Sequence, residues 1–145
     1  MSTDRTAVQP RTVLLPDGTA WPALGLGTWR YGEAVGTRAA EVAALRRAFE
    51  IGWRLIDTAE MYADGGAESV VGQALADAVR AGDLRRDDVV IVSKVYPHNA
   101  GGAALQRACE ASLRRLGIDR IDAYLLHWRG EVPLGDTLSG MQRLV

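Results

Sequence analysis

Four ionisable side chains follow three short apolar segments of this sequence. Asp57 and Tyr62 come at and just after the end of the first segment, Lys94 ends the second, and His127 ends the third. A carboxylate, a phenol, an ammonium and an imidazole exchange protons over different pH ranges, so together they can hold, orient and transfer a proton. Lys94 is the only lysine among 17 basic residues, although an arginine-rich composition would give the same count. The pattern predicts acid–base chemistry if the three segments end at one place.

Each of these residues also has an ordinary structural explanation. A tyrosine just past a strand is usually a half-buried aromatic, an aspartate at a strand end usually caps a turn, and a histidine before a tryptophan can belong to the core. All four types at the same end of consecutive strands are far harder to explain by coincidence. The functional interpretation is therefore favoured for the group, although not for any member alone.

Composition excludes several other classes of function. The chain has 145 residues, of which 48% are hydrophobic and 24% charged, as expected for one globular domain with a sizeable core. A net charge of −1 gives no electrostatic reason to expect nucleic acid or an anionic membrane as a partner. No segment reaches the about 18 apolar residues of a membrane span, and the N-terminal residues lack the apolar part of a signal peptide. A cytoplasmic protein is expected.

Metal and thiol chemistry find little support. Of the two histidines, His98 lies in a polar loop, and no metal-ligand spacing occurs, so no metal site is predicted. The single cysteine, Cys109, lies on the apolar stripe of a predicted helix, which favours a small buried hydrophobe over a nucleophile.

Strands and amphipathic helices alternate along the chain at intervals of about 30 to 35 residues. Residues 1–12 are predicted to be flexible, and a hairpin follows around the turn sequence Pro16-Asp17-Gly18. Strands alternating with helices at this interval indicate a parallel sheet with right-handed crossovers, either an open doubly wound sheet or a (β/α)8 barrel. The predicted strands are residues 23–29, 54–58, 89–94 and 121–127, and the predicted helices are residues 37–51, 67–80, 102–116 and a last one from about residue 137.

The distribution of side chains along these strands favours the barrel. Each ionisable residue shares a strand face with apolar residues two or four positions earlier. If those faces point inwards, the three ionisable groups lie together above the apolar interior of the barrel. This is the C-terminal end of the strands, where barrel enzymes have their active sites. The shared faces are Leu55 with Asp57, Val90 and Val92 with Lys94, and Ala123 and Leu125 with His127.

A dinucleotide fold of the doubly wound type is weakly supported. Gly25-Leu26-Gly27 is followed by Thr28-Trp29-Arg30, so the third glycine of the fingerprint and an immediate helix are both missing.

Five motifs, in order along the chain, resemble the signatures of the aldo-keto reductase family. The resemblance runs from Val13 to the end of the chain, and the segment 57–68 is most similar to bacterial members that reduce small aldehydes. The motifs are Gly27-Thr28-Trp29, the segment 52–62, Val92-Ser93-Lys94-Val95, the segment 111–117, and Leu125-Leu126-His127-Trp128.

This resemblance implies an NADPH-dependent oxidoreductase that transfers hydride to an aldehyde or ketone. Tyr62 is then the general acid, and the ammonium of Lys94 stabilises its anion. Asp57 holds that ammonium, while His127 donates a hydrogen bond that orients the carbonyl oxygen. By the same resemblance Thr28 and Asp57 contact the NADP cofactor, and Trp29 and Trp128 form walls of the substrate pocket.

Length is the departure from the family pattern. A complete barrel of this type has about 250 residues, so the resemblance implies that residues 13–145 are a truncated, N-terminal half made of the hairpin and the first four β–α units. Four parallel strands alone leave two unpaired edges and an open inner face. Three alternatives follow: the N-terminal part of a carbonyl reductase, which alone can be an inactive fragment, a homodimer through the open half-barrel edges, or a non-catalytic binding or interaction protein on the same scaffold.

Overall fold

The computed structural model describes residues 11–145, and a small antiparallel hairpin begins this part of the chain. Strand β1 (Thr12–Leu14) pairs with β2 (Ala20–Pro22), as the turn sequence between them predicts. The carboxylate of Asp17 accepts a hydrogen bond from the amide of Thr19 at 2.8 Å, which stabilises the turn. Residues 1–10 of the segment predicted to be flexible lie outside the described residues. Thr12 was wrongly included in that segment, because it pairs with Pro22.

Four parallel strands and four helices follow the hairpin. The strands lie side by side in chain order, as the alternation of strands and helices predicts. None of the helices within residues 11–145 combines the length and the apolar character needed to cross a membrane. The strands are β3 (Leu26–Gly27), β4 (Leu55–Asp57), β5 (Val90–Val95) and β6 (Ala123–Leu126), and the helices are α1 (Arg38–Glu50), α2 (Gly66–Ala81), α3 (Gly102–Leu116) and α4 (Leu134–Gln142).

The element boundaries agree with the predictions to within two residues except at two places. Strand β3 is shorter than the predicted segment 23–29, because a turn begins at Thr28, whose carbonyl accepts a hydrogen bond from the amide of Tyr31 at 3.0 Å. Helix α4 begins at Leu134 and not near residue 137, since the chain becomes helical directly after Pro133. Helices α2 and α3 both end at glycines in the left-handed conformation.

The two faces of the parallel sheet differ in exposure. Ile56 of β4 and Ile91 of β5 are fully buried beneath the helices, in a core shared with α1, α2 and α3. On the opposite face Val92 is buried, but Leu55 and Val90 are only partly buried, and Leu125 of β6 is 45% exposed. Helices therefore cover one face of the sheet, and the apolar face that carries the ionisable residues is open within residues 11–145.

Helices α2 and α3 are in unusually close contact at Gly72. A methyl group at that position would lie 2.6 Å from the backbone carbonyl oxygen of Leu116. Only glycine allows α2 to approach the backbone at the end of α3 this closely.

Candidate active site

The site lies at the carboxyl ends of β4 and β5. Lys94 of β5 donates a hydrogen bond to the carboxylate of Asp57 on β4 at 2.8 Å and another to the carbonyl of Thr58 at 2.9 Å. The Lys94 side chain is 14% exposed and that of Asp57 is 37% exposed. The register pairs Asp57 with Val92, so Lys94 lies two residues further along β5, and its ammonium is held there by a charge and by a backbone oxygen.

Tyr62 reaches this ion pair from the loop between β4 and α2. Its hydroxyl lies 3.4 Å from the Lys94 ammonium, which is also 5.0 Å from the centre of the tyrosine ring. The loop is fixed to the strand next to it by the amide of Glu60, which donates a hydrogen bond to the carbonyl of Lys94 at 3.2 Å. The structure thus brings the phenol and the ammonium into direct contact.

Backbone strain follows immediately after Tyr62. Ala63 and Asp64 adopt φ values of 53° and 49°, and Gly65 continues the left-handed run with a φ of 87°. Left-handed conformations are unfavourable for residues with a Cβ and persist only where the surroundings enforce them. The loop that carries the phenol is therefore held in place against its own conformational preference.

His127 completes the group from the end of β6. Its ring meets the Tyr62 ring edge to face, with 5.6 Å between the ring centres and 79° between the planes. Burial, and then the nearby charge of Lys94, hold the pKa of the imidazole below its ordinary value, against the smaller opposing effects of Asp57 and Glu60. The neutral imidazole is favoured near pH 7 and keeps one N–H to donate. Within residues 11–145 its Nδ1 atom is buried and has no hydrogen-bond partner.

The other predicted site residues differ in how they are placed. Thr28 is fully buried, and its hydroxyl donates to the backbone carbonyl of Asp57 at 3.0 Å. It therefore supports the end of β4, and its predicted contact with the cofactor stays a prediction. Trp29, which follows it, is 71% exposed. Trp128 is 48% exposed, and its ring packs edge to face against His127 at 4.9 Å.

Sequence analysis did not identify Tyr96 as part of this region. The Tyr96 ring contacts Trp128 edge to face at 6.2 Å and the exposed His98 at 4.8 Å, and its hydroxyl lies 3.4 Å from the carboxylate of Asp64. Burial, followed by Asp64, raises the pKa of this phenol. A usable signal was present, because Tyr96 is an aromatic residue only two positions after Lys94, directly beyond the end of β5.

The assembled group has the elements of a proton-donating site. A phenol touches a cation, a carboxylate compensates that cation, and a neutral imidazole lies against the phenol ring. Such an arrangement can donate a proton to an oxygen that becomes negatively charged and can stabilise the anion left behind. Metal coordination is not supported, since no group of three or more potential ligands occurs in the described part of the chain.

Comparison with known proteins gives a consistent result. The profile of the aldo/keto reductase family matches residues 23–145. Methylglyoxal reductase YeaE from Escherichia coli is 50% identical over 138 residues, which cover 95% of this chain and 46% of that protein.

Solved structures show the same likeness. An aldo/keto reductase from Klebsiella pneumoniae, in complex with NADP and acetate, is 56% identical with a TM-score of 0.83, and the match covers 94% of this chain and 46% of that one. A Bombyx mori aldo-keto reductase in complex with NADP is 32% identical with a TM-score of 0.82, over 94% of this chain and 47% of that one. These likenesses confirm the predicted (β/α)8 barrel type, represented by the hairpin and four β–α units. The chain spans about half the length of the proteins it matches.

Proposed function

The chain belongs to the aldo/keto reductase family, and we propose that it reduces the carbonyl group of a small aldehyde or ketone to an alcohol, with NADPH as the hydride donor. The observation that carries the proposal is the contact of Tyr62 with the Lys94–Asp57 ion pair. The NADP complex of the Klebsiella relative and the name of the E. coli methylglyoxal reductase support the cofactor and the substrate class.

The residues at the strand ends fit the reactive end of such a cofactor. Asp57 has a partly exposed carboxylate at the open end of β4, and the buried hydroxyl of Thr28 fixes the backbone beneath it. We propose that these two residues border the nicotinamide, Asp57 by contact and Thr28 chiefly by supporting Asp57. The bound cofactor would supply the hydride that reduces the carbonyl carbon.

Proton delivery is the task of the protein side chains. As negative charge develops on the carbonyl oxygen, the Tyr62 hydroxyl donates its proton there, and the product is an alcohol. The ammonium of Lys94 stabilises the resulting phenolate, and Asp57 keeps that ammonium in place. The neutral imidazole of His127 donates a hydrogen bond that directs the carbonyl oxygen towards the phenol. Trp29 and Trp128 would then form the apolar walls of the pocket.

The proposed reaction is tested by incubating the purified chain with NADPH and methylglyoxal. We expect alcohol to form in equimolar ratio to the NADPH consumed, and NADPH fluorescence to report binding in the same sample. NADPH that binds without consumption in the presence of methylglyoxal, glyoxal and a simple ketone would contradict carbonyl reduction. A complete lack of NADPH binding would instead favour a non-catalytic role for this scaffold.

A homodimer is a second candidate, because the open face of the sheet exposes apolar groups. Leu125 is 45% exposed, and the edge strands β3 and β6 carry unpaired backbone groups in the described part of the sheet. A second copy could cover this face by pairing edge to edge. Sedimentation equilibrium should then give twice the chain mass, while a monomer at every accessible concentration would exclude the dimer.

A further inference from the structure

A buried carboxylate lies next to the candidate site and has no role in the chemistry described so far. Glu60 is 7% exposed and stands between Asp57 and Tyr62 in the sequence. Its Oε1 atom accepts hydrogen bonds from the backbone amide of Tyr96 at 2.5 Å and from the side-chain amide of Asn99 at 3.1 Å. These partners are neutral amides, so the carboxylate is held by directed hydrogen bonds and not by an ion pair.

Glu60 joins two loops through both its backbone and its side chain. Its amide donates to the carbonyl of Lys94, while its carboxylate accepts from the amide of Tyr96, two residues further along. These two hydrogen bonds attach the Tyr62 loop to the end of β5 at Lys94 and at Tyr96, on either side of Val95.

The strain after Tyr62 explains why such a fastening is needed. Ala63 and Asp64 are both left-handed and would relax towards ordinary backbone angles if the loop were released. Relaxation directly after Tyr62 would move the phenol away from the Lys94 ammonium, which it contacts at 3.4 Å.

We propose that Glu60 is a positioning residue of the site: it fastens the Tyr62 loop to the segment 96–99 and so sets the distance between the Tyr62 phenol and the Lys94 ammonium. The same attachment holds the Tyr96 backbone, and with it the ring that packs against Trp128. The catalytic consequence depends on the proposed carbonyl reduction, whereas the positional claim does not.

Ring-to-ring distances provide the direct test. The contact of Tyr62 with His127 should give a nuclear Overhauser cross-peak between the two rings in the intact chain, and Tyr62→Phe assigns the tyrosine partner. Glu60→Gln keeps an acceptor oxygen of the same reach and should retain the cross-peak. Glu60→Ala removes the acceptor and should weaken the cross-peak at least threefold. Val42→Ala, a core truncation in α1, is the control for a general loss of stability.

Kinetics separate the positional claim from the proposed reaction. If methylglyoxal is reduced, Glu60→Ala should lower kcat at least tenfold with little change in KM, and Glu60→Gln should stay within about threefold of the wild-type chain. If no reduction occurs, a cross-peak that is lost in Glu60→Ala and retained in Glu60→Gln still supports the positioning role.

Two results would overturn the inference. One is an unchanged cross-peak in Glu60→Ala. The other is an equal weakening of the cross-peak in Val42→Ala, if the two variants have the same unfolding temperature. Should Glu60→Ala fail to fold, Asn99→Ala takes its place, since it removes one of the two donors to Glu60. A partial weakening of the cross-peak in Asn99→Ala then supports the role, and no weakening contradicts it.

Discussion

The ammonium of Lys94 lies 2.8 Å from the carboxylate of Asp57, and the two residues come from adjacent parallel strands. The register pairs Asp57 with Val92, and Lys94, two residues further along β5 and on the same side of the strand, reaches the carboxylate with its long side chain. Tyr62 then needs only a short loop to reach the same ammonium, and His127 needs only the next strand. The site is thus a product of parallel strand ends, with one strained loop added.

Breaking the ion pair should cost stability because it leaves a mostly buried ammonium without its carboxylate. Asp57→Asn is expected to lower the free energy of unfolding by about 1–2 kcal/mol, a value between those of exposed and buried pairs. Urea denaturation measures this change. Asp77→Asn, which breaks an exposed pair with Arg80, should change the free energy by less than about 0.5 kcal/mol. Equal effects of the two substitutions would show that the Asp57–Lys94 pair is no stronger than a surface pair.

Relief of strain after Tyr62 should stabilise the chain. Ala63→Gly removes the Cβ from a residue with a φ of 53° and should raise the free energy of unfolding by about 0.5–1 kcal/mol. Ala76→Gly, at an exposed position inside α2, should lower it by about 1 kcal/mol. Thermal or urea unfolding shows whether each substitution raises or lowers the free energy of unfolding. A loss of stability in Ala63→Gly as large as that in Ala76→Gly would mean that residue 63 is not strained.

Acid should weaken the fold through His127. The pKa of this imidazole is lowered on folding, so the unfolded chain binds more protons, and the native state loses stability as pH falls from the ordinary value of 6.5 through the lowered one. The slope is at most about 1.4 kcal/mol per pH unit. His127→Gln should therefore lose less stability than the wild-type chain between pH 7.5 and pH 5.5, which unfolding curves at both values measure.

His98→Gln is the control for this pH dependence. His98 is the other histidine of the chain and is exposed, so this variant controls for the loss of a histidine as such. If His98→Gln reduced the loss of stability between pH 7.5 and pH 5.5 and His127→Gln did not, the burial of His127 would not be the cause of that loss.

Much of the site follows from periodicity in the sequence. Apolar alternation placed Asp57, Lys94 and His127 on one strand face, and the parallel order of the strands made their convergence a direct consequence. The glycines at the ends of α2 and α3 also indicated the helix boundaries, because glycine readily adopts the left-handed conformation that ends a helix.

Other features could not be predicted from local sequence. The left-handed conformation of Ala63 and Asp64 is imposed by tertiary contacts against their own preferences, so no propensity indicates it. Glu60 would be taken for a solvated charge, since its burial depends on the amides of Tyr96 and Asn99 from another loop.

The measurement that tests the central claim most directly is the rate of NADPH-dependent methylglyoxal reduction in Tyr62→Phe and Tyr124→Phe, compared with the wild-type chain. Tyr62→Phe removes only the proposed proton donor, so kcat should fall by about 100-fold or more. Tyr124→Phe removes a buried hydroxyl that has no hydrogen-bond partner within residues 11–145, and its kcat should be unchanged. A Tyr62→Phe chain that reduces methylglyoxal at the wild-type rate would contradict the assignment of Tyr62 as the general acid.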